Sequence, residues 1–173
     1  MMVKIATVLT ELFEDSEYTE PKKALEAAGH EVVTLGLEAG QTVTGKTDGV
    51  EATIEKAVAD EDPADYDALL IPGGYSPDKL RKDDQVLDFV RHFAMQRKWI
   101  FTICHGPQLL VNAGVLNGKN LTAVKQVAID VINAGGNFFD EEVVIDEIGR
   151  FVSSRTPDDL PAFDKAIVDV LEK

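Results

Sequence analysis

The stretch WIFTICHGPQLL, from Trp99 to Leu110, decides the fold. Its first five residues are apolar or β-branched without polar alternation, the pattern of a strand covered on both faces. Pro107 then suits the entry to a helix over Gln108–Ala113, and Gly114 suits its end. A strand that becomes a helix within three residues belongs to a parallel α/β sheet, and it puts Cys104 on the sharp turn between them. Such a turn lifts a nucleophile to the C-terminal edge of the sheet, where open α/β sheets bind ligands. The start of the next helix offers unpaired N–H groups and partial positive charge, which predicts a thiol pKa below its usual value. A lone cysteine is ordinarily a small buried core residue. Here the strand end and the following His105-Gly106-Pro107 argue for chemistry.

Outward from this stretch, short apolar runs alternate with helical patterns. Val3–Leu9 reads as a first strand, Pro21–Ala28 as a helix with Pro21 in its first turn, and Glu31–Leu35 as a second strand. This βαβ opening predicts a parallel sheet with right-handed crossovers. Gly36–Gly49 reads as turns and a small hairpin, and Val50–Ala59 fits either strand or helix. Tyr66–Ile71 is a strand running into Pro72-Gly73-Gly74. Asp78–Gln96 follows as one long helix, with Val86, Leu87, Phe89, Val90, Phe93 and Ala94 on its apolar face. Leu121–Val124 reads as a short strand and Val127–Asn133 as a helix. Glu142–Ile145 and Phe151–Ser153 read as strands about Gly149, and Pro157–Leu171 as the closing helix. With no repeat, low-complexity tract or linker, residues 1–173 are expected to form one α/β domain.

Composition narrows the function classes. The chain has 173 residues, 45% hydrophobic and 28% charged, which excludes disorder as the main state. Lys plus Arg is 17 against 31 for Asp plus Glu, a net charge of −14 that argues against nucleic-acid and anionic-membrane partners; the acidity most simply serves solubility. With one cysteine there is no intrachain disulfide. The N-terminal apolar run carries Lys4 and turns acidic at Glu11, unlike a signal peptide, so a cytoplasmic protein is expected. His30 and His92 have no metal-spaced partners and read as surface or satisfied histidines. Neither GxGxxG nor GxxxxGK[ST] occurs, so no cofactor is expected.

Two further stretches are expected at the same sheet edge as Cys104. IPGGYSPD, Ile71–Asp78, follows a strand end, and the N–H groups of Gly73 and Gly74 could serve an oxyanion. Alone, such a glycine pair marks only a tight turn. FEDSEYTEP, Phe13–Pro21, reads as an acidic loop whose Glu14, Asp15, Glu17 and Glu20 mostly complement a helix start. One of them would face the thiol, and a carboxyl buried there has a raised pKa.

FEDSEYTEP, YDALLIPGGYSPDKLR, ICHGPQLL, LTAV and SSRTPDDLPAF together resemble the ThiJ/PfpI superfamily, and within it the bacterial PfpI-type general stress proteins. The resemblance spans essentially the whole chain. It implies a flavodoxin-like three-layer α/β/α sandwich related to class I glutamine amidotransferases. It also implies Cys104 as nucleophile, Glu17 as the carboxyl that hydrogen-bonds it, and Gly74 with the His105 N–H as oxyanion pocket. Asp78 would reach the histidine of a neighbouring subunit in a homodimer or larger homo-oligomer. Two positions depart from the pattern: Asp78 stands where the peptidase namesake has Glu, and Thr102 stands where elbows favour a smaller residue. Arg155, in SSRTPDDLPAF, either helps start the last helix or pairs with an acidic residue near the site.

The implied activity is glyoxalase-like or deglycase chemistry on small reactive carbonyls or on modified protein side chains, without a cofactor. Two alternatives stay open: an intracellular cysteine peptidase whose base is His105 oriented by a neighbour's Asp78, and a redox-sensing stress protein or chaperone whose Cys104 oxidises to a sulfinate beside Glu17.

Overall fold

Trp99–Ile103 is buried along its whole length and lies inside a seven-stranded sheet, as its unbroken apolar run predicts. The computed structural model describes residues 1–173. In chain order the elements are β1 (Lys4–Val8), α1 (Asp15–Ala27), β2 (Glu31–Gly36), β3 (Thr42–Thr44), β4 (Glu51–Thr53), β5 (Lys56–Ala57) and β6 (Ala68–Ile71). Then come α2 (Ser76–Leu80), α3 (Asp84–Met95), β7 (Trp99–Ile103), α4 (Pro107–Ala113), β8 (Asn120–Leu121) and α5 (Ala128–Asn133). The chain closes with β9 (Asn137–Phe138), β10 (Val144–Asp146), β11 (Phe151–Ser154) and α6 (Leu160–Glu172).

The sheet order is β10-β11-β7-β6-β1-β2-β5, and only β10 runs antiparallel. The order β2-β1-β6-β7-β11 is the flavodoxin-like doubly wound arrangement, which reverses direction between β1 and β6. Alternate residues of each strand feed two cores. Ala6, Val8, Leu69, Ile71 and Ile100 pack against α3, α4 and α5. Ile5, Ala68, Leu70, Phe101, Ile103 and Val152 pack against Leu25 of α1 and the apolar face of α6. Two helical layers around one sheet make the expected α/β/α sandwich.

Three expected elements change. Helix α1 begins at Asp15, six residues before Pro21, so Pro21 lies in its interior and FEDSEYTEP is not a loop. The acidic residues Asp15 and Glu17 occupy its first turn, where the helix dipole favours them. The supposed long helix is two, α2 and α3, because the Asp83 carboxylate accepts the N–H groups of Gln85 and Val86 and caps a new start. The strand expected at Leu121–Val124 shrinks to β8, which pairs with β9, a strand the sequence does not signal. Beyond it the chain makes single bonds to the main sheet in place of a ladder, Thr122 N–H to Ser153 Oγ and Val124 N–H to the Cys104 carbonyl.

The ambiguous 50–59 segment is strand followed by a 3-10 turn, and β3 with β4 forms the expected hairpin, whose second strand lies beyond Gly49.

Candidate active site

The neighbouring strands β7, β6 and β1 send their C-terminal ends to one place beside the switch point. β7 delivers Cys104 and His105, β6 delivers Gly73 and Gly74, and the first turn of α1 delivers Glu17.

Cys104 sits at φ 62°, in the left-handed region that side chains rarely occupy. Its N–H is bonded to the Ser154 carbonyl at 3.1 Å and its carbonyl accepts Val124 N–H at 3.1 Å, so both sides of the strained residue are clamped. A Cβ on Gly106 would collide with Thr102 Oγ1 and lie 2.7 Å from the Ile71 carbonyl oxygen. Gly106 is therefore the small residue this elbow requires. It also explains how Thr102 is accommodated, since the space Thr102 fills is the one a side chain at 106 would need.

The elbow overrides strand alternation and brings adjacent side chains together: Cys104 Sγ is 3.4 Å from His105 Nδ1. Glu17 is fully buried. Its Oε1 accepts Gly73 N–H at 3.0 Å, while Oε2 has no partner. Gly73 is tight for this reason: a Cβ there would strike Glu17 Oε1 and stand 3.1 Å from Cys104 Cβ.

Burial, with the charge of Glu14 added, pushes the Glu17 carboxyl up to about 8, so it is neutral at neutral pH. The Cys104 thiol is also raised, first by burial and then by facing Glu17; the His105 N–H opposes this. That corrects the expectation of a depressed thiol pKa. One helix N-terminus does not outweigh desolvation plus a facing carboxyl. Burial and the Lys46 charge hold the His105 imidazole below its ordinary value, neutral and able to accept a proton.

The N–H groups of Gly74 and His105 find no protein oxygen to bond, whereas that of Gly73 is committed to Glu17. The expected oxyanion pair thus divides: Gly74 keeps a free donor, and Gly73 positions the carboxyl. Asp78 is exposed, pairs with Arg81 at 2.8 Å and makes no hydrogen bond to His105 of its own chain. Arg155 is spent on Asp159 at the start of α6 and on Asp140 beyond β9, and does not join the site.

Lys46 is a residue of the site rim that no motif in the sequence marks. Gly106 belongs to the His105-Gly106-Pro107 that the sequence marks, whereas Lys46 lies in the turn TGKTDG, where only the hairpin itself is signalled. No group of three or more His, Cys, Asp or Glu side chains has metal-holding geometry. No helix is long and apolar enough to cross a membrane.

The DJ-1/PfpI family profile matches residues 3–170. Protein/nucleic acid deglycase 2 of Escherichia coli (strain K12) is 51% identical, over 99% of this chain and 99% of its own. General stress protein 18 of Bacillus subtilis (strain 168) is 49% identical over 98% of each. A further Bacillus subtilis relative, 49% identical over 99% of this chain and 100% of its own, carries a provisional cysteine-protease name. Among solved structures, a two-domain Anabaena variabilis protein with DJ-1/ThiJ/PfpI-like and ferritin-like domains superposes with a TM-score of 0.94 at 34% identity. The match covers 98% of this chain and 48% of that one.

Proposed function

The chain belongs to the DJ-1/PfpI family, and from that premise we propose that it is a stress-related enzyme whose Cys104 adds to reactive carbonyls, in the manner of a glyoxalase or deglycase. The observation that carries this reading is the strained elbow, which holds Sγ 3.4 Å from a neutral His105 Nδ1 beside the buried Glu17.

His105 takes the thiol proton as Sγ bonds to the aldehyde carbon. The oxygen becomes an alkoxide beside the free N–H of Gly74 and the N–H of His105, which leaves the sulfur as the sulfur loses its charge to the new bond, and protonation gives a hemithioacetal. For methylglyoxal, neutral His105 takes the proton from C1 and returns it to C2 while the protonated Glu17 hydrogen-bonds the developing enediolate oxygen, leaving a thioester. Water cleaves it to lactate and restores the thiol, so the balance is methylglyoxal plus water to lactate with no cofactor. The substrates of this reading are small carbonyls or modified protein side chains. A net charge of −14 favours these over nucleic acid, since a phosphate backbone is repelled. A cytoplasmic homo-oligomer is part of the same proposal.

Freshly reduced protein should form lactate from methylglyoxal, and Cys104→Ala should lose about 10³-fold or more while keeping its fold. Turnover surviving in Cys104→Ala would overturn the thiol mechanism.

The exposed Asp78 supports a second reading, the peptidase. Its carboxylate acts on the charge of its own His105 without a hydrogen bond to it, and in this reading it would bond the His105 of another copy. That activity, scored on unfolded casein, should then disappear when the oligomer is dissociated, whereas carbonyl turnover persists.

A further inference from the structure

The hairpin β3–β4 lies outside the sheet, yet its tip is tied to the entry of α1 by an unusual density of bonds. The Asp15 carboxylate, 2% exposed, accepts Thr47 N–H at 2.9 Å and Val50 N–H at 2.8 Å. Gly45 lies so close that a Cβ there would collide with the same carboxylate. Lys46 N–H is bonded to the Phe13 carbonyl at 2.9 Å, Leu12 N–H to the Thr44 carbonyl at 2.9 Å, and Thr47 Oγ1 to Glu14 at 3.0 Å. Burial pushes the Asp15 carboxyl up, but the N–H bonds outweigh it and hold the carboxyl below its ordinary value.

This anchoring delivers one side chain to the rim of the site. Lys46 Nζ is 3.0 Å from Glu14 Oε2 and 5.8 Å from the centre of the Tyr75 ring. Glu14 in turn gives its N–H to the Gly73 carbonyl, so Lys46 stands over the same turn that holds Glu17 and adjoins Cys104. The groups acting on the thiol and its histidine are Glu17 and Glu14 from α1 and its entry, Asp78 from α2, and Lys46 from the hairpin. Tyr75 lies against Lys46 on the α2 side.

We propose that the hairpin tip Gly45–Val50 is a working part of the active site, in which Asp15 is its anchor and Lys46 a positioning residue that sets positive charge against the carboxyls flanking Cys104. The proposal rests on Cys104 as the reactive thiol, not on any substrate. Removing the Lys46 charge leaves Glu14 uncompensated, so the thiol becomes harder to ionise. Removing the Glu14 charge has the opposite effect.

The test is the pH profile of Cys104 alkylation by iodoacetamide, which needs a reactive thiol but no turnover; absence of methylglyoxal activity leaves it intact. Lys46→Gln should move the midpoint up by about half a pH unit or more and slow alkylation at neutral pH by about threefold. Lys46→Arg should restore the profile, and Glu14→Gln should move it down. Asp15→Asn, which turns one accepting oxygen into a donor facing an N–H, should follow Lys46→Gln. Should Asp15→Asn fail to fold, the rim variants decide alone. An unmoved midpoint in Lys46→Gln, or shifts of the same sign in Lys46→Gln and Glu14→Gln, would overturn the assignment of Lys46. A folded Asp15→Asn with the wild-type profile would overturn the anchor.

Discussion

The turn after β6 and the turn after β7 leave adjacent strands at the same edge. Both enter helices whose first turn carries a proline and no side-chain cap. Both need a residue in the left-handed region. After β6 it is Gly74 at φ 77°, where the conformation costs nothing. After β7 it is Cys104 at φ 62°, where it costs about 1–2 kcal/mol. The first turn spends the N–H of Gly73 on Glu17, and the second turns that of His105 toward the Cys104 sulfur. One turn holds a carboxyl in place at no strain; the other accepts strain to lift a sulfur against a histidine. The difference teaches that the strain here goes with the reacting atom, since a glycine would satisfy the backbone but carries no thiol.

Glu17 joins the two turns, and it carries the largest expected effect. Its pKa rises from an ordinary 4.5 to about 8 on folding. The carboxyl is then neutral in the folded protein where it is ionised in the unfolded one. Its contribution is whole below the unfolded value and is lost as pH rises through the folded one. Denaturant titrations at pH 5 and pH 8 should show the wild type losing on the order of a few kcal/mol relative to Glu17→Gln, whose amide cannot ionise. Parallel stability curves would show that Glu17 is not desolvated as described.

The glycine turn is broken by Gly74→Ala. The new Cβ would collide with the Glu14 nitrogen and lie 2.6 Å from the Leu12 carbonyl oxygen, both backbone atoms that cannot swing aside. A loss of about 2–3 kcal/mol in thermal or chemical unfolding is expected. Gly106→Ala should cost slightly less, about 1–3 kcal/mol, because one of its obstacles is the Thr102 side chain. Part of that loss should return in the double variant with Thr102→Ala; strictly additive losses would mean the two residues do not share the space.

The smallest effect sharpens the comparison most. Cys104→Gly should be more stable than Cys104→Ala by about 1 kcal/mol, with both inactive, since only the glycine relieves the backbone. Equal stabilities would place the strain elsewhere.

Much of this is legible in the sequence. The apolar run Trp99–Ile103 and the Cys104-His105-Gly106-Pro107 that follows specify a buried strand, a sharp turn and a helix, because burial on both faces and proline's fixed φ act locally. The alternation of strands and helices likewise gave the layered parallel sheet. Local signals also misled. Pro21 suggested a helix start but lies inside α1. The apolar face at 86–94 concealed the cap at Asp83 that splits α2 from α3.

Periodicity and motifs a few residues long specify an α/β frame with a cysteine at a strand end. The electrostatics of the site arise from the folding together of distant segments. Glu17, Gly73 and Cys104 are distant in the chain, and their meeting desolvates the carboxyl and the thiol together, reversing the expected fall of the thiol pKa. Lys46 reaches the rim only because Asp15 folds a hairpin back over it. Charges interact through space and through the water that burial removes, and neither quantity is written in local sequence order.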